Sequence, residues 1–349
     1  MTQARHSTPL AWIWSISLIF TLSLITLSLA TAQATTGRVI GATVTEHPDW
    51  FKDSFLDLTE DVAEATEAGK HLILIMEMEG CPYCHKMIED NFANAPYRDF
   101  IQEYFDVIAL NIRGSLMVDV TEDLSLTERE LAEHLSVRFT PTVVFLDANH
   151  EQVARVNGYR NVEDFQVVLE YVQERAYRIM SLNEYAQARQ NPNVYAFRDH
   201  PNLVELDDLS SITDKPLAIL FEDSACVACD ALHDGHLADA EIRAILDDLV
   251  LVRVDTRSDA TLVTPDGRAM TASEFADELG IQYRPSLVMF DQGEEVVRIE
   301  SMLYRFHFGG ILDFVAGRHF ERYPGRPFAY INEKTDRILA TGEDVLIVD

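Results

Sequence analysis

The sequence, 349 residues long, predicts an α/β protein made of two copies of one unit. Three observations carry that prediction. Cys81-x-x-Cys84 returns as Cys226-x-x-Cys229, 145 positions on, and these two pairs are all the cysteines of the chain. Thr127 and Thr271 are 144 apart, as are Pro141 and Pro285, while Phe165 and Phe308 are 143 apart. Strand-like and helix-like segments alternate in the same order in both halves, which implies a largely parallel sheet with its site at the carboxyl ends of the strands.

Each unit opens on an apolar run, HLILIMEME from His71 and PLAILFED from Pro216. Short apolar runs bounded by turn signals read as buried strands. The Cys pair follows at once. A helical stretch comes next, HKMIEDNFANAPYRDFIQEYF or DALHDGHLADAEIRAILDDL, in which Ile242, Ile245, Leu246 and Leu249 recur at helical spacing. His233-Asp234-Gly235-His236 resembles a set of metal ligands but has no supporting ligand pattern, and reads as a break in that helix at Gly235. A second buried strand follows, FDVIALNI or LVLVRVD, and then an excursion of about a dozen residues sharing Val-Thr-x-Asp. A short helix (TERELAEHL, TASEFADEL) leads to a strand headed by proline (FTPTVVFLD, YRPSLVMFD), and a last strand and amphipathic helix close the unit.

Outside the units the chain is equally legible. Arg5 precedes an uncharged run from Leu10 to Ala30, and Ala32-Gln33-Ala34 is a small-x-small cleavage signal. Residues 1–34 therefore read as a signal peptide, and the mature chain as starting at Thr35. The run is nearly the roughly 20 residues that span a bilayer, so an uncleaved inner-membrane anchor is the alternative. Either way the cysteines face an extracytoplasmic, periplasm-like compartment. The domains then run 35–178 and 214–320, with a connector at 179–213 and a tail at 321–349. SLNEYAQARQ in the connector reads as a helix, and NPNVYAFRDHPN as an ordered segment held by Tyr195 and Phe197. The tail ends on DVLIVD, apolar enough to dock.

Asp and Glu number 58 against 28 Lys and Arg, a formal charge of −30. Such a surface repels phosphate backbones, so no nucleic-acid partner is expected. Four cysteines in two local pairs leave nothing to staple distant segments, unlike a disulfide-built secreted scaffold.

The spacing of each pair is suited to redox chemistry. A cysteine at a helix start faces unpaired N–H groups and the positive end of the helix dipole, and both favour thiolate over thiol. A second cysteine three residues on shares its helix face and can resolve a mixed disulfide. Cys81 and Cys226 are therefore the expected nucleophiles, and Cys84 and Cys229 the more buried resolving thiols. Pro82 fits the first helical turn. Thr140-Pro141 and Arg284-Pro285 start strands, where proline is tolerated and where an X–Pro bond can be cis. A cis bond beside a Cys pair would leave the backbone of Thr140 or Arg284 to pair with an extended substrate. Glu77 and Glu222, each four residues before the first Cys, are candidates to relay protons to the resolving thiols. Capping a strand end is their plainer use.

Each half, over roughly 50–175 and 210–320, resembles a thioredoxin-fold domain: strand, Cys-x-x-Cys, helix, then a Thr-Pro-type motif heading the next strand. The resemblance implies a central mixed β-sheet flanked by helices in each of two tandem domains. The excursion and the tandem arrangement resemble periplasmic thioredoxins of the SoxW kind. Cys-Pro-Tyr-Cys is similar to glutaredoxin dithiols, and Cys-Val-Ala-Cys to the pair in the carboxyl-terminal domain of DsbD-type reductases. By position only, the resemblance places Pro141 and Pro285 as cis-prolines against the dithiols. It also implies protein disulfides as substrates and a membrane electron donor of the DsbD/CcdA kind. Two features depart from the family pattern. The acid that thioredoxins bury six residues before the first Cys is replaced by Ile75 and Leu220, and the preceding Trp by Gly80 and Ala225.

The function this predicts is an extracytoplasmic thiol:disulfide oxidoreductase with no cofactor and no metal. Reduction potentials in this chemistry span about −270 to −120 mV, more than about 6 kcal/mol for two electrons. Neither dithiol holds a residue between its cysteines suited to stabilising a thiolate, which favours a protein-disulfide reductase over an oxidase. Two unlike dithiols on one chain further suggest that one domain passes electrons to the other. Three other readings compete. Cys-x-x-Cys-His85 also matches c-type haem attachment, but the second copy has Asp230 in place of His85. A four-thiolate zinc site would need both domains to meet at bonding distance. The alternative of a different class is a binding, chaperone or assembly module whose dithiols hold partners without turnover.

Overall fold

The computed structural model describes residues 36–191 and 193–348. The expected leader, 1–34, and Pro192 of the connector lie outside them. The chain opens with β1 (Val39–Ile40) and α1 (Leu58–Glu67) and enters the first sheet at β2 (His71–Glu77). After the first dithiol come α2 (Pro82–Ile88), a π-helical turn over Glu89–Ala93, and α3 (Arg98–Tyr104). Next are β3 (Phe105–Asn111), β4 (Met117–Thr121), β5 (Leu124–Thr127), α4 (Glu128–His134), β6 (Thr142–Leu146), β7 (Gln152–Asn157) and α5 (Val162–Gln173).

The sheet order is β3-β2-β6-β7, with β2–β3 parallel and the other two pairs antiparallel. The strand–helix alternation alone pointed to a mainly parallel sheet, and in this it misled. The last two strands are joined by a tight turn that forces antiparallel pairing, giving the mixed sheet. The continuous apolar run of β2 follows from burial on both faces. Ile73 and Ile75 pack with Phe145 and Phe165 under α2 and α5, while Leu72, Leu74 and Met76 pack on the other side with Leu58, Val62 and Leu131 from α1 and α4.

The connector holds α6 (Leu182–Arg189), capped by Ser181 and Glu184. The second sheet begins with β8 (Leu217–Glu222), followed by α7 (Cys229–Asp234), α8 (Ala240–Leu246), β9 (Val250–Asp255), β10 (Thr261–Val263), β11 (Ala269–Thr271), α9 (Ala272–Glu278), β12 (Ser286–Asp291), β13 (Glu294–Ile299) and α10 (Arg305–Ala316). Its order, β13-β12-β8-β9, and its pairing directions repeat those of the first. Two tandem α/β domains with mixed sheets flanked by helices are thus what the chain forms.

Among the local features, the break at Gly235 and the docked tail are as the sequence reads, while the hairpins and the break in the first unit were not expected. Both excursions are β-hairpins, β4 with β5 and β10 with β11. The long helical stretch after each dithiol is broken, at Ala95-Pro96 in the first unit and at Gly235 in the second. Proline and glycine account for these breaks, one lacking an N–H and the other costing backbone entropy in a helix. The tail forms α11 (Pro327–Ala340), packed on α10, and β14 (Val345–Leu346), which pairs in parallel with β1. Val345 is buried there.

Candidate active sites at two strand–helix junctions

In the first unit β2 ends at Glu77 and the chain turns through Gly80, whose φ of +78° suits glycine. Cys81 is the N-cap of α2, and its Sγ accepts the Cys84 N–H at 3.1 Å, with Pro82 inside the first turn. Cys81 and Cys84 form a disulfide with Cα atoms 5.3 Å apart. The Thr140–Pro141 bond is cis and brings the head of β6 to the dithiol. Cys81 Sγ lies 3.4 Å from Thr140 Oγ1 and 3.7 Å from its carbonyl oxygen. Thr142 Oγ1 donates to the Phe139 carbonyl across this turn, and Gly158 N–H donates to the Pro141 carbonyl. His85 is half-buried in the first turn, its N–H donating to the Cys81 carbonyl.

The second unit reaches a similar end by another route. β8 ends at Glu222, and Asp223 organises the turn: its carboxylate accepts the Ala225 N–H and its carbonyl the Cys226 N–H. Cys226 and Cys229 form a disulfide with Cα atoms 5.5 Å apart. Here α7 starts at Cys229, so Cys226 lies in the turn before the helix and not at its start. The expectation of a helix-start nucleophile therefore holds for Cys81 and not for Cys226. Val227 replaces the Pro82 that presets the first helical turn, and the Asp223 bonds hold the preceding residues in a turn. Arg284–Pro285 is cis. The Arg284 side chain is buried and lies 2.9 Å from Asp223 Oδ2 as an ion pair, with Gln190 and Asn183 of the connector on its other nitrogens.

The two glutamates have different surroundings. Glu77 Oε1 meets His47 Nε2 at 2.8 Å, near the surface, and this hydrogen bond holds His47 protonated above its ordinary value. Glu222 is fully buried. Its Oε1 meets His233 Nε2 at 2.8 Å and accepts from the Tyr195 hydroxyl at 3.2 Å, and its Oε2 accepts from Arg253 Nε at 2.8 Å. A carboxylate out of water needs that set of partners. Desolvation, and then the Glu222 charge, push the Tyr195 phenol above its ordinary value.

In the sequence Tyr195 reads only as a packing residue of the connector, and nothing marks Arg253. Tyr195 packs directly against Cys226 and Cys229. One signal was available for His233: it sits four residues after Cys229, on the same helix face. All four sulfurs are buried, Cys81 at 1% and Cys226 at 3% exposure, so the nucleophiles are barely more open than their partners. The first dithiol packs against Met302, Leu303 and Tyr304 of the second domain. The same three residues help line a cavity of 260 Å³ in that domain, beside Ala228, Leu232 and Pro285.

Comparison with known proteins matches the chain twice to the model of the thioredoxin-like domain, over residues 58–173 and 208–316, well over half of its length. No curated protein matches the chain in sequence. Among solved structures, a thioredoxin-fold protein from Helicobacter pylori is 23% identical, covering 34% of this chain and 84% of its own, with a TM-score of 0.30. A thioredoxin from Thermus thermophilus is 27% identical over 33% of this chain and 83% of its own, TM-score 0.27. The DsbH oxidoreductase is 16% identical over 40% and 91%, TM-score 0.26.

Proposed function

The chain belongs to the thioredoxin-like domain family, and on that premise we propose that it is an extracytoplasmic thiol:disulfide oxidoreductase that reduces protein disulfides through both Cys-x-x-Cys sites. One observation carries the reading. In each unit a cysteine pair closes into a disulfide at a strand–helix junction, beside an X–Pro bond heading the neighbouring strand. In the reduced protein the Cys81 or Cys226 thiolate attacks one sulfur of a substrate disulfide, and the other substrate sulfur leaves as a thiolate and takes up a proton. Cys84 or Cys229, losing its own proton, attacks the mixed disulfide. The substrate departs with two thiols and the protein pair is left oxidised, so two electrons have passed to the substrate. In this reading Glu222, hydrogen-bonded to Tyr195 and His233, takes up the Cys229 proton. Glu77 has the same task at Cys84 in a wetter setting. In the same reading the backbone of Thr140 and of Arg284 pairs with an extended substrate.

The apolar residues inside both dithiols, Pro82-Tyr83 and Val227-Ala228, favour reduction of substrates over their oxidation. A membrane dithiol donor of the DsbD/CcdA kind would restore the thiols. The leader, Arg5 followed by the uncharged run from Leu10 to Ala30, supports a periplasmic site of action, and no helix among the described residues is long and apolar enough to cross a membrane. The test is the double change Cys81→Ser with Cys226→Ser, assayed on insulin. The reading expects reduction of insulin disulfides to vanish. A biological role that survives the double change would instead mean that the dithiols hold partners without turnover.

A further inference from the structure

The first dithiol is hidden by the other domain. Cys81, Pro82, Tyr83 and Cys84 are all buried, and Met302, Leu303 and Tyr304, the link between β13 and α10, pack against them. The contact is specific. The Tyr83 ring stacks on Tyr304 with centroids 5.1 Å apart. The Tyr83 hydroxyl accepts the Tyr304 N–H at 3.1 Å, at the start of α10, and shares a second hydrogen bond of 2.7 Å with His307 Nδ1. Around this latch the two matching loops meet. Gly158, with φ +76°, lies so close to Ser301 that a Cβ there would stand 2.4 Å from the serine Cβ. Arg160 donates to the Glu300 carbonyl at 2.8 Å and its guanidinium lies 4.6 Å from the Tyr283 ring centroid, next to Arg284–Pro285. The second dithiol has no such latch: the position of Tyr83 is taken by Ala228, and Val227 beside it is 63% exposed.

We propose that the second domain is a built-in cover for the first dithiol, with the Met302–Leu303–Tyr304 segment occupying the face where a substrate must lie and moving away before Cys81 can meet a protein disulfide. The physical argument is one of access. Disulfide exchange needs a substrate sulfur in contact with the attacking sulfur, and Cys81 is buried in a cluster with Tyr83 and Cys84 against which side chains of a separate domain pack. Those side chains are carried on a loop between β13 and α10, with Met302 packed on the edge of the first domain's core and Leu303 on that of the second. Domains joined by a connector move relative to one another by default unless their interface is large and apolar. The occupant also defines what displaces it: an extended segment with apolar and aromatic side chains around its cysteine. The inference rests on the reading of Cys81 as the attacking sulfur.

The test follows labelling of the reduced full-length chain, mapping Cys81 and Cys226 separately by mass spectrometry. The probes are iodoacetamide and a maleimide carried on a polymer chain. Two wedge variants, Ser301→Arg and Gly158→Asn, push the loops apart from opposite sides, so that misfolding of one leaves the other. An open state populated at roughly 0.1–10% makes Cys81 of the unaltered chain react about tenfold or more slowly with the polymer reagent than in a wedge variant. Equal rates at Cys81 in the unaltered chain and a folded wedge variant would overturn the cover. Should both variants misfold, the unaltered chain still decides. Protection of Cys81 that is greater for the polymer reagent than for iodoacetamide supports the cover, and labelling by both as fast as free glutathione overturns it. Labelling reads access and not turnover, so this result and the insulin assay can fail independently.

Discussion

The two dithiols share a fold, a spacing and a neighbouring cis X–Pro bond, yet they are held by different means. The first is built into the start of a helix, with proline in the first turn, and is closed over by the other domain. The second sits in a turn before its helix, packed against a connector tyrosine that hydrogen-bonds the buried Glu222, itself held by His233 and Arg253. A Cys-x-x-Cys motif therefore specifies which atoms react, while the residues around it set where protons can go and what can reach the sulfur.

The largest expected effect separates the two glutamates. Removing one partner from a buried, hydrogen-bonded charge set costs about 3–5 kcal/mol, so Glu222→Ala should destabilise the second domain by that amount in denaturant unfolding, through the stranded Arg253. Glu77→Ala should cost about 1 kcal/mol, since its single ion-pair partner among the described residues, His47, stays partly in water. Equal losses would mean that the two sites are not differently built.

Acid should distinguish the domains next. His71 begins β2 and is buried, and burial first, then the Arg175 and Arg178 charges, push its pKa from 6.5 down to about 4. The second unit has Pro216 at that point. A histidine kept neutral by folding lends its stability above the unfolded pKa of 6.5, and that stability is lost as the pH falls towards about 4. At 1.36 kcal/mol per unit the loss approaches about 3 kcal/mol. Urea midpoints at pH 7 and pH 4.5 check it, and the drop should shrink in His71→Phe.

A smaller effect should be equal in both halves. Thr127 and Thr271 each form a capping box, with Glu130 and Glu274, and replacing either with alanine should cost about 1 kcal/mol. Unequal values would show that the short helices contribute differently despite identical caps.

How much of this was legible beforehand follows from the kind of signal each feature leaves. Local periodicity and the repeat brought out both units, since β2 and β8 are buried on both faces and therefore uniformly apolar. Capping Thr-x-x-Glu patterns mark the starts of α4 and α9. The hairpins escaped because β4, β5, β10 and β11 are short and carry mixed burial. α1 escaped because the second unit has only a single turn near Leu209 in its place, so the repeat gave no hint of it. At the sites, the cysteines and prolines were plain from spacing. Tyr195, Arg253 and the Met302–Tyr304 segment were not, because they reach the dithiols from far along the chain through contacts that no local pattern encodes.

The claim that both dithiols exchange with protein disulfides can be tested in one reaction. The fully reduced chain is mixed with an excess of a protein disulfide, quenched over time, and each cysteine pair is assayed by mass spectrometry. The account predicts that both pairs become oxidised, Cys226–Cys229 before the covered Cys81–Cys84. A pair that stays reduced while the disulfide remains in excess would contradict it.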